Sequence, residues 1–269
     1  MFTGCVKPGS IRPGQTVSTF LPLWPETLVK HIGFLICALL LFTTAAAAGD
    51  EYLGRQSLIS LGGKLYDNHW LQSGRRPPQE TYAGYPDEIE ISAPDTWRCV
   101  SCHGWDYSGA DGQLGQLASS GLFVSLRENA GKPVPDITAV LKSGRHKDIT
   151  RALQPEQVEA LSVFISVGQH DIKDVLSDEK ATGSPARGKD IFEGACVSCH
   201  QADGKAYIEG EPGDRPALGW VATNRPAQAL HKIRNGVPSA DMLSLRFLPQ
   251  ARVTDLLTYL QTLDTEVQQ

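Results

Sequence analysis

Two identical pentapeptides carry the residue types best suited to chemistry: Cys99-Val100-Ser101-Cys102-His103 and Cys196-Val197-Ser198-Cys199-His200. Two thiols one helical turn apart can form thioethers with the two vinyl groups on one edge of a porphyrin. The His that follows then lies beneath the iron as an axial nitrogen ligand. A tetrahedral zinc site built from the two Cys pairs is a rival reading, but a His directly after each pair suits it poorly. Closing each Cys-x-x-Cys as a disulfide would make a short, strained loop. The residues therefore predict two covalent haems, attached through Cys99, Cys102, Cys196 and Cys199, with His103 and His200 as iron ligands.

The amino terminus reads as an export signal. Residues 32–42 form an uncharged apolar run after Lys30 and His31, and Ala45 to Ala48 supply an Ala-x-Ala cleavage site. A membrane-spanning helix needs ~20 apolar residues, so an uncleaved anchor, lengthened by the Ala tract, is the alternative. Cys37 lacks the small preceding residue that lipid attachment requires. Residues 1–27 are unlike a signal, and a start at Val29 would give a compact basic region instead. The expected leader, with its upstream extension, is 1–48, cleaved near Ala48. Cys5 and Cys37 leave with it, and the mature protein is periplasmic.

The 269 residues are 20% charged and 41% hydrophobic, with 26 Gly and 17 Pro, which excludes a collagen-like, low-complexity or multi-span membrane chain. Loss of 1–48 removes Lys7, Arg12, Lys30 and Glu26 and takes the formal charge from −5 to −7. An acidic body without a basic patch argues against nucleic acid. It suits instead a redox partner with a basic docking surface.

The elements that must position these motifs repeat as well. Ala186-Arg187-Gly188-Lys189-Asp190-Ile191-Phe192 runs almost directly into Cys196, and Leu61-Gly62-Gly63-Lys64-Leu65-Tyr66-Asp67 is its counterpart before Cys99. In the first half an insertion from Asn68 to Arg98 intervenes. It is rich in Pro, Gly and aromatics (Trp70, Tyr82, Tyr85, Trp97) and reads as a long, packed loop. Amphipathic stripes at Val158, Leu161, Phe164 and Ile165, and at Val253, Leu256, Leu257, Leu260 and Leu263, predict a closing helix for each half. Pro155 and Pro249 sit near their starts.

With these elements in place, each half resembles a class I cytochrome c domain, over nearly all of residues 57–264. The resemblance implies a mainly α fold of tandem cytochrome c-like domains. Each would wrap a few helices around one covalent haem c, the first with a long loop insertion. The expected boundaries are 49–170 for the first domain, 171–185 for a polar linker and 186–269 for the second domain.

The family supplies a Met as sixth ligand from a Gly/Pro-rich loop before the last helix, and Met242 stands there after Asn235-Gly236-Val237-Pro238. The first half contains no Met. Aligning the closing helices brings His146 to the same position and makes it the expected sixth ligand. His69 is the runner-up, and Lys142, Lys147 or an open iron remain as further alternatives. His231 and Arg234 read as helix surface or as a propionate contact, and His170 as a residue remote from the haem. The function implied is electron transfer between redox partners rather than enzymatic turnover, alone or as a subunit of a larger respiratory complex. The alternative is a dihaem oxidoreductase with chemistry at an open or weakly ligated first haem.

Overall fold

A computed structural model describes residues 50–115, 123–206 and 216–266; the expected leader, with Cys5 and Cys37, lies outside them. The chain is mainly helical, and Glu51–Gln269 cluster into one compact unit. No helix among the described residues is long and apolar enough to cross a membrane.

Two helix crossings, built alike, organise the unit. In the first half α1 (50–72) crosses α5 (Pro155–Val163) at Gly62, where a Cβ would overlap the Ala160 carbonyl and Phe164. One turn on, the Tyr66 ring meets Phe164 at 5.5 Å between centres. In the second half α6 (Pro185–Ala195) crosses α10 (Gln250–Leu260) at Gly188, where a Cβ would overlap the Asp255 carbonyl. Phe192, one turn later, meets Tyr259 at 5.4 Å. Glycine lets each pair of backbones approach closely, and the aromatic pair then fills the space beside the contact.

Local sequence sets the ends of these helices. Pro155 sits in the first turn of α5 behind a reciprocal Gln154–Gln157 cap, and the Ser184 hydroxyl accepts the Arg187 N–H at the start of α6. The expected apolar stripes are buried: Val158, Leu161, Phe164 and Ile165 in one core, Val253, Leu256, Leu257 and Leu260 in the other. Leu263, beyond the end of α10, is only half buried. Phe164 opens a wider π turn, Phe164–Gly168, in place of a last α turn.

The insertion folds as a clasp. α1 runs on to residue 72, and the chain returns through a 3-10 turn, Ala93–Trp97. Trp70, Tyr82, Tyr85 and Trp97 form a third cluster with Cys102, Phe123, Ile149 and Ala152. The segment from 171 to 185, read from sequence as a polar linker, is strapped onto α10. A tight hairpin pairs β1 (Leu176–Ser177) with β2 (Lys180–Ala181), and Val175 is fully buried. The N–H groups of Ala181, Gly183 and Ser184 donate to side chains of Gln261, Thr258 and Asp255. Backbone donors left over by a short hairpin need such acceptors.

Candidate functional site

The first pentapeptide forms α2 (Cys99–His103), which places Cys99 and Cys102 one turn apart. Both thiols are free, and burial pushes them up, Cys99 to about 12 and Cys102 to about 11. The His103 Nδ1–H donates to the Val124 carbonyl at 2.6 Å, which leaves Nε2 as the nitrogen with a free lone pair. Burial lowers the His103 pKa to about 4, so the ring is neutral and able to ligate.

His146 opens α4 (His146–Thr150). Its ring lies 6.1 Å from that of His103, centre to centre, with the planes 22° apart. A metal ion held at about 2 Å by one nitrogen of each ring sets two such centres roughly 6 Å apart. Burial lowers the His146 pKa as well. The clasp holds both partners in place: the Tyr82 hydroxyl donates to the Arg145 carbonyl at 2.9 Å, and the Tyr85 hydroxyl donates to the Ser101 carbonyl at 3.2 Å.

His69 stands elsewhere in the same region. Its side chain is 1% exposed, and its ring packs on Trp70 at 4.8 Å between centres. Neither ring nitrogen has a partner of hydrogen-bonding geometry among the described residues, and burial lowers its pKa to about 4. Lys142 and Lys147 flank the His146 turn and are exposed.

The second pentapeptide begins with Cys196 as the cap of α7 (Val197–His200). Cys196 is pushed up to about 11 by burial, whereas Cys199 is exposed. His200 donates Nδ1–H to the Ala206 carbonyl at 3.1 Å, the same tautomer as His103. Met242 lies in the loop between α9 (Pro226–Asn235) and α10. That loop is pinned back on α9: the Leu245 N–H donates to the Ile233 carbonyl at 2.9 Å and the Ser244 hydroxyl to the Arg234 carbonyl at 2.6 Å. Gly236, at φ 82°, starts the loop where a Cβ would strike the Met242 carbonyl.

The four thiols thus sit in two separate pairs. No cluster of three or more His, Cys, Asp or Glu side chains among the described residues could hold a bare metal ion.

His231 and Arg234 correct the expectation of a helix surface. His231 is 0% exposed because α9 is the element that docks the second half onto the first. Its Nε2–H donates to the Gly63 carbonyl at 3.0 Å, so its Nδ1 accepts the Tyr107 hydroxyl proton at 2.7 Å. His170 completes the chain, 2.9 Å from the Tyr107 oxygen. Burial holds His231 at about 3 and His170 well below its usual value. Arg234 is also buried and donates to the Leu248 carbonyl at 2.7 Å, which ties it to the Met242 loop.

Other groups of this interface give no signal in the sequence. Asp67, fully buried, meets Arg98 at 2.6 Å and Lys232 of α9 at 3.3 Å. Trp105, two residues beyond His103, packs on the ring of His231 at 5.1 Å and beneath the Lys232 ammonium at 5.6 Å. Only the position of Tyr107 and Trp105 directly after the first pentapeptide could have flagged them.

No curated protein matches this chain. Residues 185–264, from the first residue of α6 to just beyond α10, match the family described as Cytochrome c. This stretch holds Cys196, Cys199, His200 and Met242, and it is similar to a cytochrome c domain, a type that binds haem covalently and transfers electrons.

Proposed function

We propose that the protein is an exported electron-transfer cytochrome with two covalently bound haems, one in each half. The observation that carries the reading is the pairing of His103 with His146 across a gap of metal–ligand size, beside two free thiols on the same helix. Cys99 and Cys102 would hold the first haem, with His103 and His146 as its axial ligands. Cys196 and Cys199 would hold the second, with His200 and Met242. Bound haem supplies one reversible electron per iron.

The chain's own residues would do the tuning. The Val124 and Ala206 carbonyls fix the two proximal rings in the tautomer that presents Nε2. Met in place of a second His raises the potential, so electrons would run from the first haem to the second. The aromatic clasp would exclude water from the first site, and Trp105, packed between α2 and α9, would keep the two sites at a fixed separation. No reacting group beyond the ligands is required, which favours a carrier over an enzyme. The setting would be the periplasm, and the partners would be redox proteins docking by complementary charge.

The test is the haem content of the purified holoprotein. The stain should stay with the polypeptide after acid-acetone extraction, the mass should exceed that of the apo chain by two haems, and the ferric iron should be wholly low-spin. One haem, or zinc in place of iron, would refute the reading.

A further inference from the structure

A cleft of about 490 Å³ opens beside the aromatic clasp, lined by Trp70, Arg75, Arg76, Glu80, Arg151 and Ala152 among others. The guanidinium groups of Arg75, Arg76 and Arg151 have no ion-pair or hydrogen-bond partner among the described residues. Three unpaired cations around one carboxylate leave the cleft strongly positive on a chain that is acidic overall. Trp70, on its wall, is almost fully buried and supplies an apolar floor. The three guanidinium groups are exposed, and the repulsion among like charges around one cleft falls when an anion binds.

The location ties this cleft to the first haem-binding segment. Arg151 caps α4, the helix that His146 opens, and Ala152 packs in the same cluster as Cys102. We propose that the cleft is a binding site for a small oxyanion or carboxylate, gripped by the forks of Arg75, Arg76 and Arg151. Guanidinium matches such groups with two parallel hydrogen bonds, and a divalent anion would neutralise the local excess. The occupant has two conceivable sources, a free inorganic anion or a propionate of the first haem. An anion held there favours the oxidised, more positive iron and so lowers the potential of the first haem. The cleft goes beyond electron transfer as such, since it makes one of the two potentials responsive to an anion.

The experiment uses the holoprotein, titrated at constant ionic strength with inorganic sulfate and, separately, phosphate, read by calorimetry and by redox potentiometry. The expected result is saturable binding of one anion with a fall in the potential of the first haem alone. Arg76→Gln and Arg151→Gln should each weaken binding about tenfold or more, the worth of a charge-assisted hydrogen bond. Lys173→Gln, which removes the same charge from an exposed site elsewhere, should leave binding unchanged. If free anion does not bind but Arg151→Gln moves the pH profile of the first potential upward, the occupant is the propionate. Neither binding nor a variant-dependent shift would overturn the proposal. Calorimetry is read independently of haem content, so failure of the cleft and failure of the two-haem reading appear in different measurements.

Discussion

The two Cys-Val-Ser-Cys-His segments are identical in sequence and unlike in setting. In the first, Cys102 is buried under Tyr82, Tyr85 and Trp97, and burial carries His103 down to about 4. In the second, Cys199 is exposed, and among the described residues no aromatic clasp covers the helix. The helix crossings beneath them differ in the same sense. Leu61 and Ala160 make the first apolar, whereas Arg187 grips Asp255 with two nitrogens at 2.8 and 2.9 Å in the second. The comparison teaches that, with a haem at each, the same pentapeptide would specify attachment while the walls around it would set dielectric, access and hence potential.

The axial positions offer the largest contrast to break. Met242→Ala should abolish the weak long-wavelength charge-transfer band of thioether-to-ferric-iron coordination and lower the second potential by on the order of 0.1 V, within the wide span that axial ligands command. His146→Ala should turn the first haem high-spin and leave that band intact, as optical and paramagnetic resonance spectra would show. His69→Ala should leave the spectrum unchanged. A reversed pattern for the two histidines would move the sixth ligand into the clasp.

Next in size are the paired crossings. Phe164→Ala and Phe192→Ala should each cost about 3–5 kcal/mol, as truncations of fully buried aromatics do. Calorimetry should show both variants melting in one transition, because α9 locks the halves together through His231 and Asp67. Two resolved transitions in either variant would separate the halves energetically.

Acid should act on that shared interface as well as on the first half, where burial also lowers His69. His231 and His170 are held below their usual pKa by burial, with Lys232 and Arg246 adding to the effect on His231 and Arg246 on His170. The unfolded chain therefore binds protons that the folded chain refuses. Stability should be full above about pH 6.5 and fall as the pH drops toward 3. Denaturant unfolding across that window would measure the slope, and a flat profile would contradict it.

The smallest effect sharpens the comparison at the clasp. Tyr82→Phe loses only the hydrogen bond to the Arg145 carbonyl, about 1 kcal/mol of stability. It should quicken hydrogen exchange at residues 145–150 without touching the second half.

Much of the site is legible in the chain because it is local. Two thiols and a His within five residues define an attachment helix wherever they fall, and the stripes Val158–Leu161 and Val253–Leu256–Leu257–Leu260 announce buried helices by period alone. Gly62 and Gly188, each four residues before an aromatic, mark the crossings for the same reason. The segment 171–185 reads as a linker because its polar side chains carry no sign that its backbone donors find acceptors on α10.

What the sequence alone determined is therefore the short-range chemistry: which residues can attach a haem, which helices are amphipathic, where the chain turns. The tertiary structure alone decided which distant groups meet. It buried His231, which from sequence reads as helix surface, against Tyr107 and Gly63. It also drew Arg75, Arg76 and Arg151 around one cleft. These are contacts between residues tens to well over a hundred positions apart. Nothing in a local pattern encodes them, because they depend on how separately formed helices pack.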